Sequence, residues 1–207
     1  FAAGNTVNCG ATTSLNTPSV TVTLWLKSDA VGNMVPLNKL PNTGSVGYAV
    51  KLRSTGSIWF RVGAESGTAV DIYGANSLYS AGTWIHIACS FDNASGALKM
   101  YINGVLQSHQ PTYVVSLNAS TIPLMMGTTG EMYAGLMDDV RTYNRALTSN
   151  EIVTVMNGGG SANQAPAVSL TSPTNGSVYT APASIALAAT ATDPDGNLVS
   201  KVKVSGP

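Results

Sequence analysis

Charge is scarce in this chain. Ten Lys and Arg balance ten Asp and Glu among 207 residues, so the formal net charge is zero. Bulk electrostatics therefore do not hold nucleic acid here, because that mode needs many unbalanced cations releasing counterions from phosphates. Histidine occurs only at His86 and His109, and cysteine only at Cys9 and Cys89. No C-x-x-C or H-x-x-x-H spacing results, which removes the usual zinc arrangements. Apolar runs fall far short of the roughly 20 residues that a membrane-spanning helix needs, so membrane insertion is not expected. No basic, apolar leader opens the sequence, which reads as a soluble fragment whose targeting segment, if any, has been removed.

Glutamate is confined to Glu65, Glu131 and Glu151. None has a carboxylate two or four residues away, the spacing that would set an acid and a base on one strand face about a scissile bond. Asp138 and Asp139 are adjacent, and adjacent strand residues point to opposite faces. A hydrolytic carboxylate pair is not expected.

Small polar residues, glycine and alternating apolar positions fill the space that charge leaves. In WIHIACSFDNASGALKMYINGVLQ, residues 84 to 107, Ile85, Ile87, Cys89 and Phe91 alternate with His86, Ala88 and Ser90. Leu98, Met100 and Ile102 then alternate with Lys99, Tyr101 and Asn103. A period of two marks half-buried strands. Asp92 to Gly96 turns the chain once, and Asn103-Gly104 supplies the two positive-φ residues of a type I′ turn into a third strand. Similar strands are predicted at 20–27, 48–53, 58–62 and 122–126, at the spacing of an all-β sandwich or jelly roll.

One short helix is predicted over 146–156, with Thr148 as cap, Glu151 reaching back to it and Gly158 ending it. Gly158 to Gln164 then reads as a linker, within a 158–165 boundary. Beyond it, strands at 168–170, 185–187 and 199–204 are separated by turns at 173–176 and 193–196. Three strands in about 40 residues do not bury a sandwich core, so 166–207 is read as part of a further β domain. The two cysteines fall on apolar phases of their strands, as two buried free thiols or as a disulfide pair.

Turning the apolar phase inward leaves a defined set facing out. It comprises Ala49, Lys51 and Arg53; Trp59 and Arg61; and His86, Ala88, Ser90, Lys99 and Tyr101. Sequential antiparallel strands usually pair, so these are expected to share one sheet face. Aromatic rings stack on the C–H side of sugars, while Lys and Arg pair with carboxylates or sulfates. Trp59 and Tyr101 are the expected platforms, with Lys51, Arg53, Arg61 and Lys99 selecting an acidic glycan and His86 beside them. Routine surface exposure of such residues is the competing explanation. Tyr48, Tyr73 and Tyr79 are alternative residues at a loop rim.

The stretches VTVTLWLK (20 to 27), WIHIACSFD (84 to 92), ALKMYINGVL (97 to 106) and GLMDDVRTYNRALTSNEI (135 to 152) resemble the laminin-G-like domains of the concanavalin A-like jelly-roll class. The resemblance spans residues 1–157. It implies two antiparallel sheets with a short C-terminal helix, Trp25 and Trp84 as packing residues near strand ends, and a Ca²⁺ held with Asp138 as the aspartate before the final strand. An Asp138 that merely accepts hydrogen bonds from neighbouring backbone, Arg141 or Arg145 is the alternative. APAVSLTSPTNGSVY and ATATDPDG resemble the opening of a bacterial immunoglobulin-like repeat.

Together the two resemblances imply a secreted or cell-surface bacterial protein of several modules. The implied role is a non-catalytic carbohydrate-binding module that holds an attached enzyme to a polysaccharide; an adhesive or structural protein-interaction domain is the alternative. Jelly-roll lyases are similar in fold but need a His with Tyr and Arg for proton transfer, and their motifs are not visible here.

Overall fold

The computed structural model describes residues 1–41, 46–63, 69–107, 112, 117, 120–159 and 167–192. Glu65, His109, linker residues 160–164, the turn at 193–196 and the strand at 199–204 lie outside the described residues. The chain divides into two compact units, Phe1–Gly158 and Gly159–Pro207.

The first unit is built from two antiparallel sheets. One contains β1 (Val7–Asn8), β3 (Met34–Asn38), β4 (Tyr48–Leu52), β5 (Ile58–Gly63), β6 (Ala69–Tyr73) and β10 (Met125–Met126), in the order β1-β10-β3-β4-β5-β6. The other contains β2 (Val20–Ser28), β7 (Trp84–Asp92), β8 (Ala97–Ile102), β9 (Val105–Leu106) and β11 (Gly135–Tyr143), in the order β11-β2-β7-β8-β9. Val22, Leu24, Ile87, Cys89 and Phe91 from the second sheet and Val50, Leu52, Phe60 and Ile72 from the first share one fully buried core. Every one of these residues sits on the apolar phase of its strand, so the alternation in sequence becomes the partition between core and surface. At 103–104, φ values of 49° and 76° give the expected two-residue hairpin between β8 and β9.

A helix, α1 (Ser149–Met156), follows β11. The Thr148 hydroxyl accepts from the Glu151 backbone N–H, and the Glu151 carboxylate accepts from the Thr148 backbone N–H, which satisfies two of the amides that a helix start leaves free. The helix begins three residues later than periodicity predicted, because residues 146–148 form the approach to that cap. Ile152 and Val155 bury against Ala88 and Tyr101. The helix therefore covers part of the outer face of the five-stranded sheet.

Three strand expectations are corrected. Of the predicted strand at 122–126 only Met125–Met126 is in a ladder, since it pairs with two-residue β1 on one side and the end of β3 on the other. Cys9 lies just beyond β1 and is exposed, whereas Cys89 is buried, and both thiols are free. In the second unit β12 (Ala167–Ser172) pairs with β13 (Ala188–Thr192), so its partner begins after the predicted 185–187.

Candidate functional site

The outer face of the six-stranded sheet carries the cations and aromatics in register. Lys51 is directly opposite Trp59, Trp59 opposite Tyr73, and Arg61 opposite Asp71. The rings of Trp59 and Tyr73 stack at 6.3 Å between centroids with 24° between planes. The Arg61 guanidinium lies over the Trp59 ring at 4.4 Å and the Lys51 ammonium at 5.8 Å, while Arg53 lies over Tyr73 at 5.7 Å. Cations over aromatic faces are attracted by the ring quadrupole, so the face is an interlocked set of side chains.

Most of these charges are matched. Arg61 Nε donates to Asp71 Oδ1 at 2.7 Å and Nη2 donates to Oδ2 at 2.8 Å, a bidentate pair. The Asp71 hydrogen bond raises the Arg61 pKa above its ordinary value. Tyr73 donates its hydroxyl to the same carboxylate at 3.3 Å, and burial, followed by the Asp71 charge, pushes that phenol up. Lys51 Nζ pairs with Glu131 Oε1, and the Glu131 side chain is 42% exposed against 16% for Lys51. Arg53 has no carboxylate partner among the described residues.

A groove of about 680 Å³ runs beside this array. Its walls are Trp59, Arg61 and Glu131, with Thr6, Asn38 and Thr129 among the polar positions. Its size lies within the range of small-ligand sites, roughly 300–1,000 Å³. The Nε1 of Trp59 is buried without a hydrogen-bond partner. Another cavity, of about 530 Å³, is lined mainly by apolar residues such as Leu15, Leu124, Met126 and Met137, and also by Asp138 and Asp139.

The second half of the expected site lies elsewhere. His86, Lys99 and Tyr101 belong to the five-stranded sheet, so the single face inferred from phase splits between two sheets. His86 and Tyr101 are each 1% exposed. Tyr101 is sealed by α1, with its hydroxyl 3.2 Å from that of Ser149. His86 packs against Trp25 at 5.4 Å, its Nδ1 has no partner, and burial lowers its pKa to about 4. Both residues face outward as predicted and are nevertheless inaccessible, because strand phase carries no information about what packs on top. Lys99 remains exposed on that other sheet.

Tyr73 and Asp71 join the site in their place. Tyr73 is 42% exposed, while Tyr48 and Tyr79 are buried in the core. The alternation of Ala69, Val70, Asp71, Ile72 and Tyr73 was the available sequence cue, since it puts Val70 and Ile72 inward. Trp84, assigned to packing, is 39% exposed. Lys39 was also passed over; it is fully buried, and Nζ donates to the carbonyls of Ser120 and Ile122 at 2.9 and 2.7 Å. Burial lowers its pKa. This ammonium fastens residues 120–122 to the end of β3 and lies outside the groove.

Asp138 lies on exposed backbone of β11, where the register slips between Asp138 and Arg141. Asp139, with φ 51°, occupies the bulge, so strict alternation does not separate the two carboxylates as expected. Asp138 Oδ1 accepts from the Asp139 N–H, and Asp139 is paired with Arg141. Among the described residues no three His, Cys, Asp or Glu side chains cluster as metal ligands. One free carboxylate beside a paired one is a poor match to the six to eight oxygens that Ca²⁺ takes.

Residues 1–153 match the laminin-G family of the concanavalin A-like lectin/glucanases superfamily, and residues 166–205 match the bacterial Ig domain. Among solved structures, the CBM40 module of the Ruminococcus gnavus IT-sialidase bound to α2,3-sialyllactose superposes with a TM-score of 0.62 at 14% identity, covering 75% of this chain and 94% of that one. The binding domain of Paraclostridial Mosquitocidal Protein 1 gives 0.59 at 17% identity, covering 76% and 42%. The Botulinum neurotoxin serotype G binding domain gives 0.57 at 15%, covering 72% and 38%. The chain thus spans about two fifths of those two toxin domains, and at such identities the likeness is one of fold.

Proposed function

This chain belongs to the concanavalin A-like lectin/glucanases superfamily through residues 1–153, and we propose that its first unit is a non-catalytic glycan-binding module. The observation that carries this reading is the groove beside Trp59, whose ring is aligned with Tyr73 and has the Arg61 and Lys51 cations within 4.4 and 5.8 Å of its centre. An aromatic platform beside fixed donors and acceptors suits a sugar, which offers a C–H face and a rim of hydroxyls. Trp59 supplies the apolar contact at the groove wall with Tyr73 stacked on it, Arg61 and Lys51 hold the Trp59 ring in place, Arg61 donates to hydroxyls, and Arg53 orients Tyr73. That the CBM40 module was solved with sialyllactose is a property of that protein; here it supports the glycan class only through the shared fold.

The partner is a polysaccharide, and the wider protein is a secreted or cell-surface bacterial one in which this module keeps an attached enzyme near its polymer. Such tethering raises effective concentration without adding chemistry.

The test is a glycan array probed with the wild type, Trp59→Ala and Tyr73→Ala. Loss of a sugar–aromatic stack weakens binding by about 1 kcal/mol, or roughly fivefold. Unchanged binding to every glycan in both variants would remove the groove from consideration.

A further inference from the structure

We infer that the groove takes an uncharged stretch of polysaccharide, its wall charges being cancelled from within by Glu131 and Asp71; this rests on the glycan-binding reading above. The sequence alone points the other way, toward an acidic glycan, because Lys51, Arg53, Arg61 and Lys99 are visible in it as cations while the pairings of Lys51 with Glu131 and of Arg61 with Asp71 are not.

Three observations reverse that expectation. First, the charged group that Lys51 and Glu131 present to the groove is the carboxylate: Glu131 is the more exposed partner and lines the wall, whereas Lys51 is 16% exposed. A uronate or sulfate entering there meets a like charge. Second, Arg61 already uses Nε and Nη2 on Asp71, the geometry by which a guanidinium recognises a carboxylate. Its remaining N–H groups still donate to neutral hydroxyls, while an incoming carboxylate is repelled by Asp71. Third, Arg53, the cation of this aromatic array that has no carboxylate partner among the described residues, sits over Tyr73 and does not line the groove. What the walls leave for a ligand is a pair of internally neutralised ion pairs, the Trp59 ring and hydroxyl groups such as those of Thr6 and Thr129. Those are groups that read hydroxyls.

The experiment compares the whole 207-residue chain on matched polymers that differ only in charge. Polygalacturonate and alginate are each paired with their carboxyl-reduced forms, beside a panel of neutral plant and bacterial polysaccharides, by affinity electrophoresis. The expected result is binding to one or more neutral or carboxyl-reduced polymers at least about tenfold tighter than to any native polyuronate. That binding should change less than about twofold between 0.05 and 0.5 M salt, since only unmatched exposed charges are strongly screened. Tighter binding to native polyuronate, weakening across that salt range, overturns the inference while leaving the glycan reading intact. Absence of binding to every polymer overturns both.

Asp71→Asn and Glu131→Gln provide the complementary arm. Each releases a cation, Arg61 or Lys51, and is expected to move the charged-to-neutral preference toward the polyuronate by about tenfold while the thermal midpoint shows that the fold persists. An unaltered preference in both folded variants counts against the inference, because the internal partners would then not be what sets it.

Discussion

The guanidinium of Arg61 and the carboxylate of Asp71 face each other across β5 and β6 through two parallel hydrogen bonds of 2.7 and 2.8 Å. Their side chains are 29% and 18% exposed, so the pair is neither fully solvated nor fully buried. Its energetic value is that of a well-aligned, partly screened pair, about 1 kcal/mol. A double-mutant cycle with Asp71→Ala and Arg61→Ala, read by urea midpoints, should give a coupling of that size and sign. Coupling near zero would mean that the alignment positions the rings without contributing to stability.

Stability should fall as pH drops from about 6.5 to about 4. Burial holds the His86 pKa at about 4, against 6.5 in an exposed chain; Asp139 pulls it back up slightly and Arg141 pushes it down. In that window the unfolded chain binds a proton that the folded chain refuses, so the native state loses ground as acid is added and the loss levels off below pH 4. At 1.36 kcal/mol per pKa unit the full effect is roughly 3 kcal/mol. Glu151, held at about 2 chiefly by the Arg145 hydrogen bond, adds a loss only below pH 4.5. Urea titrations at pH 7, 5.5 and 4.5 check this, and His86→Leu should flatten the profile over that range whatever its stability at pH 7.

The two cysteines should be told apart by a thiol reagent. Cys9 is exposed, while Cys89 is fully buried in the core and its thiol pKa is pushed up by that burial. One thiol per chain should react promptly under native conditions and a second only in denaturant. No reaction in denaturant without a reductant would indicate a disulfide.

Calcium removal should leave the thermal midpoint unchanged. Asp138 offers one carboxylate, already accepting from the Asp139 N–H, and its neighbour is held by Arg141. A melt with EDTA and then with added Ca²⁺ decides the matter, because an ion bound to the native state raises the midpoint with concentration.

Alternation in the sequence was sufficient to assign the inward set, from Val22 and Leu24 to Phe91 and Leu98, and it correctly turned Lys51, Trp59 and Arg61 outward. It did not reveal which sheet each strand joins. That depends on long-range pairing, such as β2 against both β7 and β11, which no local period encodes. It also did not reveal that α1 caps the face bearing Tyr101, although the capping box at Thr148 and Glu151 was legible. The ion-pair partners were hidden for a related reason: Glu131 is 80 residues from Lys51, and only the fold brings them together. Asp71 was closer in sequence, yet its role depends on the β5–β6 register that sets it opposite Arg61.

The position of α1 also bears on how force enters the first unit. Helix and second unit are joined through residues 157–166 of the chain, so tension applied from beyond Gly158 reaches the sandwich first at the C-terminal end of α1. What resists it is the apolar seat of Ile152 and Val155 on Ala88 and Tyr101, together with the capped start at Thr148. The groove beside Trp59 is in the other sheet, separated from that load path by the buried core. Strain arriving from beyond Gly158 is therefore expected to loosen the C-terminal turn of α1 before it reaches the sheet that bears Trp59.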